Sequence, residues 1–413
     1  MSARREKIDR FCEQIKNEWL SNIVPFWSKY APDKQHGGFR GWIGNDLQID
    51  ERADKGVILN ARILWTFSHA YKLYQDDSFA SMAERAYKYF TRHFIDPEQG
   101  GVFWNVDYQG RPSDTRKRVY AQAFAAYGLT EYFHATGCRD SLLAALEIFN
   151  ILESRCRDRE NDGYFETFER DWTLAADQRL SEVDLDEKKS MNTHLHVLEA
   201  YATICRVSPD ERIKARLRAV TDIFLTRIIN PRTLHLQMFF DEEWASKSDT
   251  ISFGHDIEAS WLLCEAAEVA GDNALMAEVQ AVALRMAESV YENGLDSDGS
   301  LLYEAGEDGI TDDDKHSWTQ AEAVVGFVNA YQLSGREYFL EAAMRVWEFI
   351  DRRIVDRQKG EWFWKVSRAG APALELPKLS QWKCPYHNSR MWFEISRRLN
   401  ESKESSLYGS HGV

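Results

Sequence analysis

The sequence predicts an all-α chain folded as an (α/α)6 barrel, and three observations carry the prediction. Helical periodicity dominates from end to end, as long amphipathic segments joined by short Gly- and Asp-rich connections. A turn followed by alternating aromatic residues recurs roughly every 60 to 70 residues, longer than the common solenoid repeats but readable by the same logic. The helix after each turn is more apolar than the helix before it, as in Gly56 to Trp65 and Val119 to Tyr127. Six such pairs close into a ring of inner and outer helices, which buries a face of every helix and needs no polar caps at open ends.

In chain order, the recurring turns are His36-Gly37-Gly38-Phe39, Gln99-Gly100-Gly101-Val102, Asn161-Asp162-Gly163-Tyr164, Thr233-Leu234-His235-Leu236, Asp298-Gly299-Ser300-Leu301 and Lys359-Gly360-Glu361-Trp362. Each reads as a short strand or β-hairpin in a connecting loop. Around them the pattern gives helices near 3 to 29, 54 to 75, 76 to 94, 117 to 136, 139 to 157, 187 to 206, 209 to 228, 253 to 271, 272 to 292, 314 to 334, 336 to 353 and 385 to 400. No Pro/Ser-rich linker interrupts the series, so 1–413 reads as a single barrel domain with a frayed tail at 401–413. The acidic run Asp312-Asp313-Asp314 reads as a helix cap.

Composition narrows the chemistry. With 44% hydrophobic and 28% charged residues over 413 positions, the chain can bury a large core. Its 14 Trp, 17 Tyr and 22 Phe exceed what packing requires and suit stacking on sugar rings or nucleobases. A net charge of −15 argues against nucleic acid, which needs a clustered basic surface. The polar N-terminal helix is unlike a signal peptide, and no apolar run approaches membrane-spanning length. The six scattered cysteines, without CxxC spacing, suit reduced core thiols and a cytoplasmic protein.

The chemically unusual residues lie on the apolar helices. Ser252 to Leu263 starts a buried helix in which His255 and Glu258 share a face, an imidazole and a carboxylate within mutual reach. Comparable positions on the other inner helices hold Arg62, Tyr120, Asn192 with His196, Trp318, and Trp382 with His387. Inner helices running in one direction would bring these side chains, and their positive helix ends, to one pocket. Taken singly, Tyr120, Trp318 and Trp382 suit packing as well as a site, Arg62 could pair with a buried carboxylate, and His194 reads as structural. There is no HExxH pair and no phosphate-binding Gly loop, so neither a zinc site nor a nucleotide site is expected. Glu258 is the one strong inward carboxylate, whereas glycoside hydrolysis needs two.

Three stretches, Ser190 to Tyr201, Phe253 to Glu258 and Trp382 to Asn388, occur in the same order in the cellobiose 2-epimerases of the N-acylglucosamine 2-epimerase superfamily, which this chain resembles along nearly its whole length. Lys55 to Trp65 and Val119 to Phe124 add to the resemblance. It implies the (α/α)6 barrel, no cofactor, and a small-molecule disaccharide substrate epimerised at C2 of its reducing-end glucose; a chain without a metal, acting as a monomer, is expected. It also implies that His255 and His387 are the acid/base pair, that His196 assists ring opening or holds the substrate, and that Glu258 orients His255. Arg62, Tyr120 and Asn192 would bind sugar oxygens, and Trp318 and Trp382 would stack on the rings. The alternative on the same scaffold is an aldose–ketose isomerase acting on mannose or a related sugar.

Overall fold

The computed structural model describes residues 3–400; the expected frayed tail at 401–413 lies outside the described residues. Twelve helical rods run through them. The outer set is α1 (3–30), α3 (Asp77–His93), α5 (139–156), α7 (211–228), α9 (Asn273–Asn293) and α11 (337–354). The inner set is α2 (Val57–Tyr74), α4 (Val119–Thr136), α6 (Met191–Val207), α8 (Phe253–Ala270), α10 (Ser317–Ser334) and α12 (Tyr386–Asn400). Each inner helix packs on the next, and α12 packs back on α2, so the ring closes.

Burial explains the difference between the two sets. Helix α4 touches neighbours on all sides and is buried without a break from Val119 to Tyr132. Outer helix α3 buries only Phe79, Ala83, Ala86, Tyr89 and Phe90, spaced along one stripe. Gly128 and Gly326 let inner helices approach closely, since a Cβ at either would lie 2.7 Å from the carbonyl oxygen of Ala61 or Ile257 on the adjacent inner helix. No described helix is long and apolar enough to cross a membrane.

All six recurring turns are closed by a single bridge each: Pro32 with Phe39, Ile95 with Val102, Arg157 with Tyr164, Ile229 with Leu236, Leu295 with Leu301, and Val355 with Trp362. Two-residue strands immediately before five inner helices pair antiparallel with the following connection. Lys55–Gly56 meets Asn105–Val106, for example, and Lys189–Ser190 meets Phe239–Phe240. The run Asp312 to Asp314 is not a helix cap: Asp313 and Asp314 pair with Arg368 and Lys365, and α10 starts after His316.

A buried ion pair fastens five of the six junctions. Lys55, Lys117, Lys189, Lys315 and Lys378 pair at 2.7–2.9 Å with Asp33, Asp96, Asp158, Asp296 and Asp356. The other oxygen of each aspartate receives backbone N–H groups of its own turn, such as Gln35 and His36 on Asp33. Asn230 and Ile251 stand at the corresponding places in the fourth repeat, where Asn230 still accepts the Arg232 N–H. A second fastening reaches outward from the first turn of the inner helices. Gln122 and Gln320 bond both backbone groups of Val102 and Leu301, and Asp256 accepts the Leu236 N–H. His194 takes this position in α6, its Nε2 accepting the Tyr164 N–H while Nδ1 meets the Ser190 carbonyl, which bears out its structural reading.

Two outcomes are expected. Lys189→Met strands the buried Asp158 carboxylate and should cost about 3 kcal/mol in urea unfolding, against well under about 1 kcal/mol for removing the exposed Lys88–Glu84 pair. Burial pushes the His194 imidazole down to about 4, so between pH 6.5 and 4 the unfolded chain binds a proton that the folded chain does not. Stability therefore falls on acidification through that window. His194→Gln, which copies Gln122 and Gln320, should remove about 2 kcal/mol of that loss in unfolding curves taken at both pH values.

Candidate active site

With all inner helices pointing the same way, their N-terminal ends surround a cavity of about 650 Å³. Every site residue expected from the sequence lines it: Arg62, Tyr120, Asn192, His196, His255, Glu258, Trp318, Trp382 and His387. They stand at two depths. Tyr120, Asn192, His255, Trp318 and His387 sit in the first turns of α4, α6, α8, α10 and α12, while Arg62, His196 and Glu258 lie one turn further along α2, α6 and α8. Trp382 precedes α12 in the connection, against Trp104 and Tyr120 at ring separations of 5.9 Å.

The three imidazoles differ in what holds them. His387 Nδ1 lies 2.7 Å from Glu322 Oε1, and His196 Nδ1 lies 2.9 Å from Glu199 Oε2. His255 Nδ1 instead meets the Ser252 hydroxyl at 2.8 Å. The expectation that Glu258 orients His255 is therefore corrected: the spacing puts both on one helix, but the Glu258 carboxylate is bonded to the guanidinium of Arg390. Burial pushes the His255 imidazole down to about 4 and draws His196 below its ordinary value despite Glu199. Burial, reinforced by Arg62, takes His387 well below it. Burial thus favours the uncharged, proton-accepting form of each imidazole. The Trp318 ring contacts both His255 and His387, with centroids 4.8 and 5.5 Å away.

Arg390, one turn inside α12, organises the floor. Its side chain is 1% exposed and stacks on Trp261 and Tyr386. Nη1 donates to Glu199 at 2.5 Å, and Nη2 donates to Glu322 at 2.7 Å and to Glu258. Tyr386 also donates to Glu199, and the Trp261 indole to Glu322. Burial raises Glu322; it also pushes Glu199 up, but there the Arg390 charge together with the hydrogen bonds to His196 and Tyr386 outweighs it and holds the carboxyl down to about 2. Ligand atoms of Glu258, Glu322 and His387 lie within 4.8 Å of one another, a spacing a metal could use, but Arg390 Nη2 already donates to both carboxylates there.

Arg62 has different company from the carboxylate that its burial suggested. Its Nη2 donates to the Tyr120 hydroxyl at 3.0 Å, Nη1 lies 3.7 Å from Cys384 Sγ, and the guanidinium covers the Phe124 ring. Its Nε and the Oδ1 of Asn192 have no hydrogen-bond partner among the described residues, leaving a donor and an acceptor in the cavity wall for a ligand. All six cysteines are free thiols.

Sequence reasoning missed Glu199, Glu322 and Arg390. Helical spacing could have found them, since they follow His196, Trp318 and His387 by three or four residues and so share a face with a chosen site residue. Glu199 and Glu322 thus join Glu258 around Arg390, and Glu166 lines the cavity wall, where only Glu258 was expected.

Residues 37–388 match the family model described as N-acylglucosamine 2-epimerase (GlcNAc 2-epimerase). The cellobiose 2-epimerase of Bacteroides fragilis is 45% identical over 384 residues, covering 93% of this chain and 98% of that protein. That of Dictyoglomus turgidum is 43% identical over 385 residues, covering 92% and 97%. The solved cellobiose 2-epimerase of Bacillus thermoamylovorans B4167 superposes with a TM-score of 0.91 at 39% identity, over 94% of this chain and 100% of that one. A D-mannose isomerase structure shares the fold, with a TM-score of 0.81 at 17% identity over 96% and 99% of the two chains. The chain belongs to the N-acylglucosamine 2-epimerase family and is a carbohydrate 2-epimerase, an isomerase.

Proposed function

We propose that this protein reversibly epimerises C2 of the reducing-end glucose of β-1,4-linked disaccharides, converting cellobiose to glucosyl-mannose and lactose to epilactose. The observation that carries the reading is the pair His255 and His387, two imidazoles on different helices that both touch Trp318 in one cavity. The names of the relatives at 45% and 43% identity supply the substrate.

The chemistry follows from placement. His196, backed by Glu199, assists opening of the reducing-end ring to the aldehyde by moving the proton between the C1 and ring oxygens. One imidazole then takes the C2 proton, and the electron pair of that C–H bond moves into a cis-enediolate. Its oxygens lie against Arg62, the Tyr120 hydroxyl and Asn192, with positive helix ends behind them. Rotation about C2–C3 turns the opposite face to the second imidazole, which is the protonated member of the pair in this step and gives its proton to C2, ending neutral while the first ends protonated. The second sugar ring extends toward Trp382 and the outer cavity. Hydrolysis fits less well, because Glu199, Glu258 and Glu322 each commit an oxygen to Arg390 rather than flanking a glycosidic bond.

His255→Ala and His387→Ala should each lower kcat on cellobiose by about 1,000-fold or more with circular dichroism unchanged; substantial turnover in either would remove the two-base assignment. In deuterated water the epimer should carry deuterium at C2. Unlabelled product would exclude proton transfer through solvent-exchangeable bases, and accumulation of a ketose would favour the aldose–ketose isomerase.

A further inference from the structure

The floor of the site has an uneven charge count. Two guanidinium groups, Arg62 and Arg390, are 4% and 1% exposed and carry permanent positive charge. Against them stand three carboxyl groups, Glu199, Glu258 and Glu322, all bonded to Arg390. The neighbouring hydroxyls of Tyr120, Tyr127 and Tyr386 add no charge, since burial drives their ionisation upward. Of the other charges nearby, Lys383 pairs with Glu361 in the cavity wall, and beneath the cluster Lys72 pairs with Glu131 while Arg397 and Arg398 bond Glu265 and Glu394; Asp184, Glu187 and Glu304 line the cavity in partly exposed positions. Glu166, also in the cavity wall, accepts hydrogen bonds from Ser190 and Thr193, and its burial raises it to about 8, which leaves it neutral.

Two cations facing three carboxyl groups are one positive charge short, and an unbalanced buried charge is strongly disfavoured. One added proton restores balance, and its available carriers are Glu322 and the imidazoles of His196, His255 and His387. We propose that Arg390 is the positioning residue that sets this count, so that the site holds one mobile proton at a time.

The proposal rests on the epimerase reading and explains one of its requirements. A two-base epimerisation needs one imidazole to accept a proton while the other donates one. Two protons on the pair would leave no base, and none would leave no acid. Arg390 touches no reacting atom in this scheme; it acts through the carboxylates behind His196 and His387.

The test counts protons independently of turnover. Arg390→Met should bind roughly one more proton at pH 7 than the native protein, visible in infrared difference spectra as an added protonated-carboxyl band. Its kcat on cellobiose should fall about 100-fold, with KM within a few-fold of native. Arg390→Lys preserves the charge and should show no added band, with kcat at least about 10-fold above that of Arg390→Met. Arg390→Met combined with Glu258→Gln restores the balance and should lose the added band. An unchanged carboxyl band in Arg390→Met, or retention of the added band in the double variant, overturns the proposal. If Arg390→Met does not fold, Glu258→Gln alone runs the count the other way, and failure to release roughly one proton overturns it equally. Native protein that leaves cellobiose unchanged would remove the epimerase reading while the proton count still stands or falls by the spectra.

Discussion

The contact on which the catalytic end of this barrel depends is that between Arg390 and its three glutamates. None of the four groups could be withdrawn from water alone, since an isolated buried ion costs several kcal/mol even after the surroundings relax. Together they fill the barrel axis below the cavity with a network of short, charge-assisted hydrogen bonds. The imidazoles above inherit their orientation from it: Glu199 turns one oxygen to Arg390 and the other to His196, and Glu322 meets Arg390 and His387 through Oε1. His255, held by a serine hydroxyl, stands outside this network, so the two proposed bases differ electrically as well as in position.

That arrangement needs six helix ends held at one level. The Lys–Asp pairs supply this at five of the six turns, because each lysine lies in a connection close to the site and each aspartate also ties down the backbone of its own turn. The interior is therefore ionic at two radii, at the axis and at the junctions, with the apolar core between them.

Much of this was legible in the sequence. The alternation of apolar and amphipathic helices and the six turn motifs define the ring, because each reflects a local rule of burial or backbone geometry. Eight of the nine site residues converge because they lie at similar heights on helices that run in one direction, and Trp382 joins them from the connection before α12. Partnership was harder to read. His255 and Glu258 have the right spacing to meet, yet Glu258 points to a cation from another helix, more than a hundred residues away in sequence. Arg390 and Glu322 carry no local signature, as their meaning comes from one another across the ring. The junction lysines escaped notice for the same reason, since a lysine before a helix ordinarily signals a solvated end.

The outward fastenings of Gln122, His194, Asp256 and Gln320 divide the labour of each inner helix. One face of the first turn holds the scaffold together, and the opposite face carries the chemistry, so substitutions on the inner stripe leave the fastenings untouched. The ring is in this sense a mount whose inner stripe can vary while the frame stays the same, and a structure with only 17% identity shares that frame.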